Sequence, residues 1–124
     1  MKSEKNLSSF GDVLLNFLCS ASLARVNGKW EGRRIKNTVL AKALLSSNAK
    51  KPRRSNRQML GNHVEALVAK AWINGEVTTE ECINVLCLYI NDDNESQTMA
   101  LRRLIDFILE RHKNDKTPDE DSRD

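Results

Sequence analysis

Phe10-Gly11-Asp12-Val13-Leu14-Leu15-Asn16-Phe17-Leu18 is an apolar helix start with a single carboxylate set in it. Gly61-Asn62-His63-Val64-Glu65-Ala66-Leu67 repeats that setting about fifty residues later. A carboxylate among Leu, Phe and Ala side chains is costly unless a metal, a cation or water meets it. Two such carboxylates, distant in the chain but alike in their surroundings, suggest one shared site and metal-dependent chemistry.

Outward from these stretches the chain reads as helix. The first helix is expected over about Ser9 to Val26, capped by Ser8 or Ser9. Phe10, Val13, Leu14, Phe17, Leu18 and Ala21 form its inward stripe. Its other face, with Asp12, Asn16, Cys19 and Leu23, is only weakly polar, as in a helix at the middle of a bundle or at a subunit contact. Asn27-Gly28 ends it. A basic connection with Gly28 and Gly32 as breakers leads to a second helix, about Lys36 to Ser46. After a polar loop containing Pro52, Ser55 is expected to cap a third helix, about Asn56 to Asn74, stopped by Asn74-Gly75. Leu60, Val64, Leu67, Val68 and Ala71 are its inward positions. Thr78 and Glu81 are spaced as a capping box for a fourth helix. A fifth helix, about Ser96 to His112, buries Leu101, Leu104, Ile105 and Ile108. The expected fold is all-α: one helical domain over residues 1–112, followed by a charged tail, 113–124, expected to be disordered.

A chain of 124 residues is enough for one domain with one core. No uninterrupted run of roughly 18 apolar residues occurs, so no transmembrane span is expected. The stretch Met1-Lys2-Ser3-Glu4-Lys5-Asn6 has no apolar segment of signal-peptide type. The 3 cysteines, Cys19, Cys82 and Cys87, lie in apolar helical patterns without metal-ligand spacing, as for buried free thiols in a reducing cytosol.

The net charge is +3, but it is unevenly spread. Between Lys29 and Arg57 the basic residues Lys29, Arg33, Arg34, Lys36, Lys42, Lys50, Lys51, Arg53, Arg54 and Arg57 face one acid, Glu31. Such a block suits a polyanion, nucleic acid above all. The plainer reading is a solvated segment that keeps the protein soluble. Trp30, inside the block, could stack on a base or pin the loop to the core.

Each candidate also has a structural explanation. Asp12, three residues after Ser9, could complement a helix N-terminus. Glu65 could pair with Arg57 or Lys70. In the site reading, Gly61 and Ala66 leave room for a metal with its waters, and magnesium needs only one or two carboxylates when it retains several waters. His63 lies roughly 200° around the helix from Glu65 and should point elsewhere. No Ser-His-Asp set, phosphate loop or dinucleotide glycine pattern is present.

Phe10-Gly11-Asp12-Val13-Leu14-Leu15-Asn16 resembles the first acidic motif of the ribonuclease III catalytic domain. Val64-Glu65-Ala66-Leu67-Val68-Ala69 resembles its second. The course from Gly11-Asp12 through Val39-Leu44 to Glu65-Gly75 is similar to the compact archaeal ribonuclease III-like proteins that lack a double-stranded-RNA-binding domain. The resemblance covers about residues 8 to 90. It implies an endoribonuclease acting on double-stranded or structured RNA as a cytoplasmic homodimer, without membrane contact. Asp12 and Glu65 would be catalytic and would hold Mg2+, or Mn2+ in its place, with Asn62 as a further metal contact. Lys29, Arg33, Arg34, Lys50, Lys51, Arg53, Arg54 and Arg57 would bind the RNA. The chain departs from the family's pattern at two acids: Ser8 stands where classical members have Glu, and Asn62 where they have Asp. Each departure removes a negative charge. The alternative is a catalytically silent relative that binds structured or ribosomal RNA as a scaffold.

Overall fold

Five helices follow one another: α1 (Glu4–Asn27), α2 (Asn37–Ser46), α3 (Arg57–Ile73), α4 (Thr79–Cys87) and α5 (Asn94–Ser122). The computed structural model describes the backbone of residues 4–122 and the side chains of residues 5–114. Among the described residues there is no strand, so the all-helical expectation is borne out. The most extensive packing is α1 against α3; α2 and α4 bracket that pair, and α5 closes the core over α2 and α4. Leu15, Leu18, Leu23, Leu40, Leu44, Val64, Leu86, Leu101, Leu104 and Ile105 are fully buried in one continuous core.

Several ends form as their residues dictate. Gly28 and Gly75 take positive φ, 77° and 75°, where a side chain is strained and glycine is not. The Gly28 amide donates to the Ala24 carbonyl, and the Glu76 amide reaches back to Ala71. The Thr78–Glu81 capping box is complete, each side chain accepting from the other residue's amide.

Other ends differ from expectation. α1 begins at Glu4, so neither Ser8 nor Ser9 caps it; Ser8 is buried, and its hydroxyl donates to the Lys5 carbonyl within the helix. α3 is capped by Asn56, whose side chain accepts from the Met59 amide. Ser55 instead turns its hydroxyl toward the Pro52 carbonyl. The backbone of α5 continues through Ser122. The tail expected to be disordered, 113–124, falls mostly on residues whose side chains lie outside those described.

The inward face of α1 is also different. Leu14 and Leu18 are buried as expected, but Leu15, Cys19, Ser22 and Leu23 complete the buried stripe, while Phe10, Val13 and Phe17 are exposed. The helix is apolar on almost every side, so periodicity alone does not select a face. By length and composition Lys5–Asn27 could cross a membrane, but half of its most apolar window is buried inside the fold, the setting of a core helix.

Candidate active site

Gly11 determines where α1 meets α3. A Cβ placed on it would lie 2.0 Å from the Glu65 carbonyl oxygen, a clash with main chain that cannot turn aside. The two helices therefore cross in van der Waals contact at this residue, and Asp12, its neighbour, is brought against the Glu65 side chain. Asp12 lies two turns inside α1, too deep to complement the helix N-terminus.

Glu65 is buried, and its carboxyl is pushed up to about 7. Burial is the main cause, followed by hydrogen bonding to the Asp12 carboxyl and repulsion from its charge; Arg34 opposes the rise. Two carboxyls in one partly dry site cannot both ionise cheaply, so the pair retains a proton close to neutral pH. The cation that acts on Glu65 is Arg34, not the Arg57 or Lys70 offered as possible partners.

Beside the pair lies a cleft of about 300 Å³ lined by Asp12, Arg34, Ile35, Lys36 and Asn37. Asn16, one turn beyond Asp12, links the cleft's two walls. Its Nδ2 donates to Asp12 Oδ1 at 3.3 Å, and its Oδ1 accepts from the Ile35 amide at 2.9 Å. Asn37 Nδ2 donates to Gln58 Oε1 at 2.9 Å, and Gln58 Nε2 donates to Asn62 Oδ1 at 3.1 Å. Asn62 stands one turn before Glu65, its carboxamide oxygen already engaged by Gln58. Asn16 escapes a reading confined to charged residues, although its spacing of four from Asp12 was a usable signal.

The space attributed to Gly61 and Ala66 is not there. Gly61 packs on α2, where an added Cβ would come 3.0 Å from Asn37 Oδ1. Ala66 lines a separate cleft with His63, Lys70, Glu76 and His112. His63 thus faces away from the carboxylates, as its angular offset implies.

The basic block divides. Arg34 and Lys36 line the cleft. Arg33 is paired with Glu31 and Asp92, and Lys51 Nζ donates to the Ser47 carbonyl. Lys29, Lys50, Arg53, Arg54 and Arg57 are exposed, the last four around the α2–α3 connection. Trp30 is 80% exposed, which excludes its pinning the loop to the core.

The donor set suits a divalent cation. Two adjacent carboxyls, one kept protonated mainly by burial, could exchange that proton for a divalent cation, whose coordination water would complete. Among the described residues no cluster of three His, Cys, Asp or Glu side chains is assembled, so Asp12 and Glu65 are the whole acidic contribution.

A sequence model of the family described as Ribonuclease III matches residues 5–114, which include both carboxylates, the basic loop and all five helices up to the middle of α5. No curated protein matches the chain. With most of its length matched, and with the two motifs joined at one helix crossing, the chain belongs to the ribonuclease III family.

Proposed function

We propose that this family member is a metal-dependent endoribonuclease that cuts double-stranded or structured RNA as a cytoplasmic homodimer. The observation that carries the reading is the Asp12–Glu65 pair, held together at a helix crossing where, among the described residues, neither carboxyl forms a salt bridge and Arg34 only partly opposes the rise at Glu65. Such an arrangement is unfavourable for the fold alone, and it serves a site that receives a cation.

Asp12 and Glu65 would hold Mg2+ or Mn2+. The ion, when bound, supplies charge neutralisation at the phosphodiester and an activated water. The chain's own residues do the rest. Asn16 orients Asp12, and the Ile35 amide fixes Asn16. Arg34 and Lys36 line the cleft with positive charge where an RNA phosphate would approach. Lys29, Lys50, Arg53, Arg54 and Arg57 extend the basic surface for phosphates further along a duplex, contacts that weaken steeply with salt. For dimerisation, the exposed Phe10, Val13 and Phe17 of α1 form one apolar strip beside Trp72, whose ring lies 5.8 Å from that of Phe10. A second copy of the chain is the occupant that suits a strip this apolar.

A catalytically silent, RNA-binding relative is the second reading. It is favoured by Ser8 and Asn62, whose polar groups are engaged within their own helices rather than at the carboxylates. Incubation with end-labelled duplex RNA, with magnesium, with manganese and with chelator, separates the two. Metal-dependent cutting that is lost in Glu65→Gln is expected for the enzyme. RNA binding without cutting under every condition would replace it with the scaffold.

A further inference from the structure

Trp30 is more exposed than any other large apolar side chain described, and it is far from loose. The residues between α1 and α2 form no regular structure, yet they are fastened on both sides of the tryptophan. Upstream, the Lys29 amide donates to Asn27 Oδ1 at 2.9 Å. Downstream, the Arg33 amide donates to Ser20 Oγ at 2.7 Å. Ile35 is then bonded to Asn16, so the segment runs back along α1 toward Asp12. Trp30 is held between the anchors at Asn27 and Ser20, roughly 12–22 Å along α1 from Asp12. The only ring pair among the described residues joins Phe10 to Trp72, and the only cation over a ring is Arg111 over Phe107. Trp72 also donates its indole N–H to Thr79. The two tryptophans thus differ in kind: one is packed and bonded, the other is presented to solvent within a cationic segment containing Lys29, Arg33 and Arg34.

An indole kept in water forfeits the burial that normally places it in a core. In a basic segment aimed at an acidic site, its flat face suits a nucleobase. Bases in a continuous duplex are stacked on one another and offer no free face, and an aromatic side chain stacks only on a base that has left the helix at a bulge, a loop or an end. We propose that Trp30 stacks on an unpaired base, and that the preferred RNA is a duplex with an unpaired nucleotide roughly 12–22 Å, about two to four turns of protein helix, away from the cleavage site. This inference rests on the RNA-binding reading above and narrows its substrate class.

Binding is measured in chelator, so that cleavage plays no part. Two RNAs are compared: a fully paired duplex, and the same duplex with one unpaired fluorescent aminopurine base. The wild-type protein should prefer the second by about tenfold or more and quench its fluorescence. Trp30→Ala should abolish both the preference and the quenching, and Trp30→Phe should restore most of each. Equal affinity of the wild-type protein for the two RNAs, or a preference that survives in Trp30→Ala, overturns the inference while leaving duplex binding intact. Self-association that is lost in Trp30→Ala with no change in quenching overturns it in favour of a protein contact. Failure to bind either RNA overturns the inference together with the RNA-binding reading.

Discussion

Glu65 and Glu81 lie on consecutive helices, and their carboxyls are pushed in opposite directions. Glu81 is the third residue of α4, where it closes the capping box, and faces Arg111 of α5, whose Nη2 lies 2.9 Å from its Oε2. The guanidinium, then the Thr78 amide, hold its carboxyl below the usual range. Glu65 is buried, with another carboxyl for its nearest charged neighbour, and is pushed up to about 7. The Glu81 end of the molecule is what a fold does with a carboxylate when stability is the only requirement. The Glu65 end holds two carboxyls side by side at a cost in stability, as expected if this is the cation site proposed above.

The hardest way to break this contrast is at Gly11. Gly11→Ala places a Cβ within 2.0 Å of the Glu65 carbonyl and must force α1 and α3 apart. A loss of about 3 kcal/mol in chemical denaturation is expected. Gly61→Ala meets only the end of the Asn37 side chain, and a change within about 1 kcal/mol is expected because alanine also favours the helix. Equal losses in the two variants would mean that the crossing is not at Gly11.

Glu65→Gln should lower metal-dependent cleavage by more than about a hundredfold. The same variant should raise Tm at pH 8, where it removes a buried charge, and leave it unchanged at pH 4, where the carboxyl is protonated in both states. Magnesium should raise the Tm of the wild-type protein at pH 8 and not that of the variant. Lack of any metal-induced shift in the wild type would deprive the site of its cation, whatever the cleavage assay shows.

The two carboxyls should also be separable by pH. The Glu65 carboxyl is raised from the ordinary 4.5 to about 7, so its contribution is fully present below 4.5 and is lost as pH rises to 7. Glu81 is lowered, so its contribution is present above the ordinary glutamate range and is lost as pH falls through that range. Denaturation midpoints followed across pH should therefore show a fall between 4.5 and 7 that Glu65→Gln removes. Glu81→Gln, the smallest effect, should produce a slight loss at neutral pH that fades on acidification, since the pair is about a third exposed to screening solvent.

Local signals were the most legible in the sequence. The Thr78–Glu81 box, the Asn74-Gly75 stop and the turn at Gly28 each depend on a few adjacent residues, and each forms as read. His63 also faces away from Glu65, because helical geometry alone decides it. The inward face of α1 was not legible, since apolar residues lie all around it and the choice is made by a residue with no side chain, Gly11. The spacious surroundings read into Gly61 failed for a related reason, since a small residue signals close packing as readily as open space, and the space beside Ala66 opens away from the carboxylates. The pairing of Arg33 with Asp92 and the reach of Arg34 to Glu65 join distant parts of the chain, and no local pattern encodes them.

The crossing at Gly11 also has a consequence for the history of the molecule. The carboxylates come from segments some fifty residues apart, and nothing short of docking α3 onto α1 brings them together. Such distant contacts are completed late in folding. A chain still leaving the ribosome, with α1 out and α3 not yet made, carries Asp12 as an ordinary solvated acid. Surrounded by RNA at its birth, the protein holds no assembled acid pair until its third helix is in place.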